Sequence, residues 1–403
     1  MGGAALEGLK VVEFAEMVSG PMCGKLFADM GAEVIKIEPP GAGDEARRHP
    51  PFPGDVPHPE KSGLFLYLNT SKKSVTLDPA TPSGAALFKR LVADADLLIE
   101  NHPPGYLASI GLAYDVLHAL NPRLVVTSVT PFGQHGPYAG WKGTDLIAWA
   151  MSLTGYNTPT LITDSEKENP LRAPGRQADM MGATTAAAAS MLALLQREAS
   201  GEGQWVDAAC WQSVVNTAKV EMAVYGYAGM PYSRLRAKAK AGLEPSPCRD
   251  GYVYVLWVVD SHFEALKELL GHPEALEADL FKNTAQRAEY DDVVRPLIQR
   301  ELLKHGQEWL VREGQKLGLP IGPVLTVAQA AEHPHLKHRG AFVEIDHPVA
   351  GHLRYPGPLV RLTATPPAPR RAPLLGEHNE EILCGRLGLP PAELSGLRAA
   401  GVI

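Results

Sequence analysis

The chain has 403 residues, of which 45% are hydrophobic and 21% are charged, values typical of a globular protein with room for two or three domains. A formal charge of −7 argues against nucleic-acid binding, although an anionic small molecule needs only a local basic pocket. The sequence lacks a signal-peptide pattern and a run of about 18 apolar residues, so no membrane span is expected. Four dispersed cysteines without a CxxC pair favour reduced thiols and a cytoplasmic location.

The first 130 residues alternate between strand and helix patterns. Strand patterns occur at 9–14, 33–38, 73–77, 96–100 and 124–129, the first of them a short apolar run. Helical spacing of apolar residues occupies intervening segments at 20–30, 83–93 and 116–120. This alternation predicts an α/β fold with a parallel sheet. Long loops predicted at 39–62 and 131–144 mark the ends of strands, where such sheets bind ligands.

The rest of the chain indicates a second, smaller domain. An Ala/Met/Leu-rich segment at 180–199 predicts a long helix, and Trp205–Val220 is interpreted as another. A strand-rich pattern then begins at Gly251 and is followed by helical patterns. We therefore predict a large domain that starts with residues 1–224, a smaller domain at 225–325, and a return to the large domain at 326–403.

Two glycine-rich segments resemble nucleotide-binding motifs. Gly41–Ala46 fits GxGxxA after a strand, but the prolines at 50 and 51 prevent the long helix that a dinucleotide fingerprint opens. Gly20–Lys25 is one residue short of a P-loop and lacks its Ser/Thr, so a helix start with proline in its first turn explains it better. Neither segment predicts a nucleotide cofactor.

The histidines at 333, 335 and 338 form the one dense histidine cluster of the sequence. The proline at 334 interrupts regular helical spacing, and no cysteine is near. A solvent-facing loop is therefore predicted, with no metal ion and no redox cofactor.

Asp179 lies where a polar loop meets the long apolar helix. Aspartate is a preferred N-cap, so a purely structural role is one interpretation. A carboxylate at the head of a buried helix also suits a nucleophile, because backbone N–H groups there stabilise a developing oxyanion. The residues alone leave both interpretations open.

The whole chain resembles the class III CoA-transferases, the family of formyl-CoA transferase and carnitine-CoA transferase (CaiB/BaiF type). The matching segments, in order, include LEGLKVVEF, GPMCGKLFADMGAEVIKIEPPGAGD, LNTSKKSVTLD, ENHPPGYLASIGL, LNPRLVVTSVTPFGQHGPYA, GRQADMMGA, REASGEGQWVDAA, SPCRDGYV and LLGEHNEEIL. The resemblance implies a large Rossmann-like domain formed by both chain ends, a smaller α+β domain, and two interlocked subunits. It also implies a CoA thioester as substrate, with no tightly bound cofactor.

The family's catalytic aspartate falls on Asp179. The resemblance implies that this carboxylate attacks an acyl-CoA, with succinyl-CoA as a candidate donor, and forms a mixed anhydride. CoA then binds covalently to the aspartate as a thioester and passes to a carboxylic acid acceptor. Such covalent catalysis conserves the thioester's energy.

The family's CoA contacts carry over by resemblance to seven positions: Val18, Ser19, Lys142 and Asp145 near the thioester, Lys72 near the phosphates, and Asn101 and His102 on the adenine side. Ser109 stands where many members have arginine, and Pro39 where formyl-CoA transferases have one. Phosphate pairing is then either weaker or supplied by Lys142, Arg47 or Arg48. Val18 replaces the glutamine of formyl-CoA transferases, which argues against formyl or oxalate chemistry.

Two alternatives to a catalytic CoA-transferase stay open. The related α-methylacyl-CoA racemases carry a histidine in a GHD segment, where this chain has Thr144 between Gly143 and Asp145. His135 lies nine residues before Thr144 and is not counted as a substitute. The chain could also be a non-catalytic partner of a paralogous subunit, since it also resembles the subunits of heteromeric succinyl-CoA:benzylsuccinate CoA-transferases.

Overall fold

The protein is described by a computed structural model, which covers residues 3–231, 233–235, 242 and 244–403. The chain forms two compact units. The larger comprises Met1–Tyr156, Arg172–Gly229 and Lys337–Ile403, and the smaller comprises Asn157–Leu171 and Met230–Leu336. Residues 157–171 thus cluster with the smaller unit, although the sequence analysis assigned them to the larger domain.

The larger unit is built on a parallel sheet of six strands. The strands are β1 (Lys10–Phe14), β2 (Glu33–Glu38), β3 (Lys73–Thr76), β4 (Leu97–Glu100), β5 (Val125–Thr130) and β6 (Trp205–Ala209). Their spatial order is β3-β2-β1-β4-β5-β6, the order of the dinucleotide-binding fold. The predicted parallel α/β sheet is confirmed.

The α-helices of the described chain are, in sequence order, α1 (Ser19–Asp29), α2 (Gly63–Leu68), α3 (Pro82–Ala93), α4 (Tyr106–Ser109), α5 (Tyr114–Leu120), α6 (Asp145–Ala150), α7 (Leu153–Tyr156), α8 (Gln177–Ser200), α9 (Cys210–Val215), α10 (Lys219–Ala228), α11 (Asp260–Leu269), α12 (Thr284–Glu289), α13 (Asp291–Leu302), α14 (Gln307–Lys316), α15 (Val327–Glu332), α16 (Pro334–His338) and α17 (Pro391–Ala399). A π-helical segment, Glu380–Arg386, precedes α17.

Alternate residues of the central strands point to opposite faces, and both faces are buried. Val11 joins the apolar cluster formed with α1 and α8, whereas its neighbour Val12 joins the cluster formed with α3, α5 and the C-terminal segment. Ile403 is part of this second cluster, so the two ends of the chain share one core.

The predicted helix at Trp205–Val220 is wrong in its first part. Trp205–Ala209 forms edge strand β6, which pairs with β5 from Val126↔Trp205 to Thr130↔Ala209. The segment follows a turn in which Gly203 is packed against the backbone of Leu124. Pairing with a distant strand therefore decided its conformation.

Two smaller sheets complete the fold. In the smaller unit, β7 (Pro245–Cys248), β8 (Gly251–Val255) and β9 (Ile321–Pro323) form an antiparallel sheet, and a separate apolar core joins it to helices including α11 and α13. In the larger unit, the antiparallel pair β10 (Phe342–His347) and β11 (Gly351–Pro356) contributes Ile345 and Tyr355 to a further apolar cluster.

Helix α8 is long and apolar enough to span a membrane by length and composition, a test that core helices also pass. Its alanines 183, 186 and 187 are buried in the cluster that covers one face of the sheet. The helix thus has a packing role within the larger unit.

Candidate active site

The strand order reverses between β1 and β4, which creates a crevice at the carboxyl ends of these two strands. The loop after β1 leads to Val18 and Ser19 at the head of α1, and the loop after β4 begins with Asn101. Asn101 Nδ2 donates to Ser19 Oγ at 3.2 Å. Tertiary structure therefore brings together three of the predicted contact residues from two distant segments.

Asn101 uses its side-chain amide within the protein. Its Oδ1 accepts the backbone N–H of Glu16 at 2.9 Å, and its Nδ2 donates to the carbonyl oxygen of Glu16 at 2.7 Å. Val18, which has no side chain able to cap, stands at the N-cap of α1 and is buried. The helix terminus is thus left without a side-chain cap, as at sites where helices receive anionic ligands.

His102 packs between two aromatic rings. Its ring centroid lies 4.2 Å from that of Phe14 and 4.6 Å from that of Tyr106. Burial, followed by the charge of Lys36, lowers the pKa of His102 to about 4. The His102 imidazole is therefore neutral near pH 7 and packs against these rings. The backbone N–H of His102 donates to Glu100 Oε2 at 2.8 Å.

Lys72 occupies a different environment from that expected of a phosphate contact. Its side chain is fully buried, with Nζ 2.7 Å from Glu13 Oε2. The same ammonium donates to the carbonyl oxygen of Pro21 at 2.7 Å and to Asn69 Oδ1 at 2.9 Å. Burial lowers the pKa of Lys72 to about 8 despite the charge of Glu13. This position corrects the expectation of a lysine that faces a CoA phosphate, because the described chain surrounds its ammonium.

The three other cations considered for CoA phosphates also differ in exposure. Lys142 and Arg48 are exposed, whereas Arg47 is buried. The Arg47 guanidinium lies 2.7 Å from Glu38 Oε2 and 2.7 Å from Glu60 Oε2. The positive charge of Arg47 is therefore balanced by two carboxylates inside the protein. Of the three cations, Lys142 and Arg48 are the two exposed to solvent.

Asp145 holds the first turn of α8 from a neighbouring helix. It is the first residue of α6 and is buried, and its Oδ1 accepts the backbone N–H groups of Ala178 at 2.8 Å and Asp179 at 3.2 Å. Arg176, at the N-cap of α8, adopts a left-handed conformation with φ 55° and makes no side-chain cap. Asp145, which is distant in sequence, therefore supplies the oxygen that caps α8. Asp179 does not act as the N-cap.

This arrangement leaves the carboxylate of Asp179 available for chemistry. The Asp179 side chain is 16% exposed, and one of its oxygens lies 4.0 Å from Arg176 Nη1. Burial, followed by the negative charge of Asp145, raises the pKa of Asp179 to about 7, and Arg176 opposes that shift. A poorly solvated carboxylate of this basicity is suited to nucleophilic attack near neutral pH.

Close packing fixes the position of α8 below Asp179. A Cβ at Gly182 would lie 2.4 Å from Cys210 Sγ, so only glycine permits this approach of α8 to α9. Burial and the charges of Asp179 and Asp145 raise the pKa of the Cys210 thiol. The thiol therefore stays protonated, and Asp179 has no competing thiolate beside it.

Asp145→Asn is expected to shift the acid limb of the pH–kcat profile to lower pH. The asparagine oxygen keeps the two hydrogen bonds to the first turn of α8, so folding stability should change by less than ~1 kcal/mol. Loss of the neighbouring negative charge lowers the pKa of Asp179, so the ionised form, the one able to act as a nucleophile, persists to lower pH. Activity assays from pH 5 to 9 on both proteins test this. An unchanged or upward-shifted acid limb in a well-folded variant would contradict this electrostatic coupling.

The sequence predicts a solvent-facing loop, with no metal ion, for the histidine cluster at 333, 335 and 338. Within the described ranges, no group of three or more His, Cys, Asp or Glu side chains is arranged to hold a metal ion. His335 and His338 are exposed and belong to short helix α16, which replaces the predicted loop. The His135 ring packs edge-on against Trp205 at a centroid distance of 5.5 Å.

Sequence analysis missed several functional candidates. Arg176 and Asp44 lie in a motif and in a glycine loop whose local patterns do not predict their contacts with Asp179 and Met17. Lys36 carried a usable signal, because a lysine between Ile35 and Ile37 in a strand buried on both faces requires an internal partner. Its partners, however, could be identified only from the folded chain.

Comparisons with known proteins show the family to which the chain belongs. The model of CoA-transferase family III matches residues 6–379. The succinyl-CoA–D-citramalate CoA-transferase of Chloroflexus aurantiacus is 34% identical over 403 residues, 99% of this chain and 98% of its own. The beta subunit of the succinyl-CoA–L-malate CoA-transferase of the same organism is 30% identical over 412 residues, 99% of this chain and 98% of its own.

A solved structure supports the same assignment. The crystal structure of a CaiB/BaiF family protein from Brucella suis superposes with a TM-score of 0.83 at 30% identity, covering 95% of this chain and 100% of the other. Fold and sequence therefore agree along almost the entire length. The chain belongs to CoA-transferase family III and is an enzyme that transfers CoA.

Proposed function

We propose that the enzyme moves CoA from succinyl-CoA to a dicarboxylic acid through covalent intermediates on Asp179. The observation that carries the proposal is the state of this carboxylate. It lies at the head of α8, is poorly solvated, and is relieved of the capping role by Asp145. The resemblance of this position to the family's aspartate supports the same assignment.

The chemistry balances without an external acid, base or redox partner. An oxygen of Asp179 attacks the thioester carbonyl, and CoA thiolate leaves to give an acyl–aspartyl anhydride. The thiolate then attacks the Asp179 carbonyl, which releases the donor acid and forms an aspartyl–CoA thioester. The acceptor carboxylate displaces the thiolate to form a second anhydride. Thiolate attack on the acceptor carbonyl finally yields the new thioester and restores Asp179.

The surrounding residues have distinct roles in this proposal. Asp145 fixes the first turn of α8 and raises the basicity of the nucleophile. Arg176, whose side chain is 36% exposed beside Asp179, offers a guanidinium to the second carboxylate of a dicarboxylic substrate. The named dicarboxylate specificities of the two relatives support this substrate class, and Val18 still argues against formyl or oxalate chemistry.

We further propose that the chain works as an interlocked dimer, with a second copy or with a paralogous subunit. From Val220 onward, no residue of α10 is buried, although the helix is largely apolar. On α8, Leu192 and Leu195 are 67% and 69% exposed. Apolar helix faces of this kind are typical of subunit interfaces. Light scattering of the purified chain distinguishes a homodimer from a monomer that requires another subunit.

A direct assay of the products tests the proposed transfer. Succinyl-CoA is incubated with D-citramalate, L-malate, glutarate, benzylsuccinate, butyrate or oxalate, and new CoA thioesters are separated by chromatography. We expect transfer to at least one of the four larger dicarboxylates, D-citramalate, L-malate, glutarate or benzylsuccinate, and little or none to butyrate or oxalate. Transfer confined to monocarboxylates would contradict the substrate class. Epimerisation of a 2-methylacyl-CoA without any acceptor would favour the racemase alternative.

A further inference from the structure

Side chains from several elements hold the loop between β1 and α1, residues 15–18, and the first turn of α1 that follows it. Lys36 on β2 donates from Nζ to the carbonyl oxygen of Ala15 at 2.7 Å. Asn101, after β4, binds both backbone polar groups of Glu16. The beginning of the loop is therefore fixed from two sides by segments far apart in sequence.

The centre of the loop is held in a conformation that side chains disfavour. Met17 has φ 64°, in the left-handed region, and its N–H donates to Asp44 Oδ1 at 2.9 Å. The same oxygen accepts the N–H of Ala46 at 2.8 Å, which anchors Asp44 in its own turn. A left-handed non-glycine residue persists only where its surroundings impose the conformation, and Asp44 supplies that constraint.

The end of the loop is equally constrained. Asn101 also donates to Ser19 Oγ, and a Cβ at Gly20 would lie 2.3 Å from that of Ala15 and 3.3 Å from Asn101 Cγ. The head of α1 thus packs directly on the Asn101 amide. Farther on, the carbonyl oxygen of Pro21 accepts from Lys72 Nζ.

Three of these holding residues share a charge cluster with Glu13. Lys36 lies 3.0 Å from Glu13 Oε1 and 2.7 Å from Asp44 Oδ2, and Lys72 lies 2.7 Å from Glu13 Oε2. All four side chains are fully buried. The loop is therefore attached to a fully buried charge cluster and not to exposed surface groups.

We propose that Lys36, Asp44, Lys72 and Asn101 are positioning residues that preform the β1–α1 loop for the thioester end of CoA. The inference rests on the proposed function and on the family resemblance, which implies that Val18 and Ser19 line that end of the substrate. It assigns Lys72 and Asn101 a role through the loop, in place of direct contacts with the CoA phosphates and adenine. Preformed geometry matters for transfer because small displacements of reacting groups cost large factors in rate.

Two substrates separate positioning from phosphate binding. Succinyl-CoA carries the nucleotide phosphates, whereas S-succinyl-pantetheine presents the same thioester without them. Lys72→Met and Asn101→Asp are expected to lower kcat/KM by on the order of ten- to a hundred-fold with both substrates, and by similar factors. Asn101→Asp keeps an acceptor for Glu16 N–H but removes the two donated hydrogen bonds.

Two control variants carry the same substitutions, Lys→Met and Asn→Asp, at residues that do not contact the loop. Lys73→Met removes the neighbouring lysine, which pairs with Glu33 and Glu381. Asn121→Asp removes a similar amide clamp, whose Nδ2 donates to the carbonyl oxygens of Val92 and Ala95. Both controls should retain kcat/KM within about two-fold, since neither residue touches the loop.

The outcomes are distinct. A loss confined to succinyl-CoA in Lys72→Met would overturn the positioning role and restore a phosphate contact. Unchanged kcat/KM in both test variants would overturn the proposal as a whole. If Lys72→Met does not fold, Asn101→Asp alone decides, with a thermal melt as its folding check. If wild-type protein transfers no CoA, the proposed function fails, and calorimetric binding of free CoA to the same variants still tests the loop.

Discussion

Asp179→Asn is expected to abolish CoA transfer, with kcat reduced by at least about 10³-fold. Asparagine has the shape of aspartate but lacks the ionised oxygen that attacks the thioester. The variant should fold normally, because Asp145, and not Asp179, accepts the hydrogen bonds of the first turn of α8. Loss of a carboxylate from a weakly solvated site also removes a desolvation cost, so a melting temperature equal to or above that of wild type is expected.

Three measurements on one preparation check this prediction: transfer activity, thermal melting, and mass spectrometry after incubation with succinyl-CoA alone. Wild-type protein should carry a hydroxylamine-sensitive adduct on the peptide that contains Asp179, and the variant should carry none. Asp115→Asn is the matched control, since Asp115 also lies in the first turn of a helix. Retained activity in folded Asp179→Asn would overturn the mechanism and favour the partner-subunit hypothesis.

Lys36→Met is expected to lower the free energy of unfolding by ~3–5 kcal/mol, the range seen when one member of a buried ion pair is removed. The substitution leaves the carboxylates of Glu13 and Asp44 without this cation in a fully buried cluster. Lys73→Met removes a partly exposed lysine with two carboxylate partners and should cost less than ~1 kcal/mol. Urea unfolding followed by circular dichroism and tryptophan fluorescence compares the two variants.

The difference in the free energy of unfolding between Lys36→Met and Lys73→Met should persist across neutral pH. Burial alone would lower the pKa of Lys36, but the charges of Asp44, Glu13 and Glu38 outweigh it and raise the pKa above the ordinary value. A raised lysine pKa contributes stability that is fully present below the unfolded-state pKa of about 10.4 and is lost only as pH rises through the folded-state pKa. Equal losses in Lys36→Met and Lys73→Met would show that the cluster contributes no more than a surface pair.

Local sequence patterns determined the parallel sheet and the location of the catalytic candidate. The segments at 9–14 and 33–38 carry strand patterns, and the Ala/Met/Leu pattern at 180–199 suits a core helix. Asp179 stands where that helix begins. These features depend on neighbours within one element, so periodicity is sufficient to predict them. The resemblance to the CoA-transferase family then linked the aspartate to a chemistry.

Only the tertiary structure decided the environment of the site. Asp145 reaches the head of α8 across 33 residues of chain, and Asn101 reaches Glu16 across 85. Glu13, which pairs with buried Lys72, and strand β5, which pairs with Trp205–Ala209, are also far from their partners in sequence. Distant segments bury, cap and pair with one another only after the elements have packed. The neighbours of a residue in sequence do not specify that packing. The sequence by itself therefore determined the first five strands of the parallel sheet and the position of the candidate nucleophile, whereas packing decided the sixth strand and which polar groups hold the candidate site in shape.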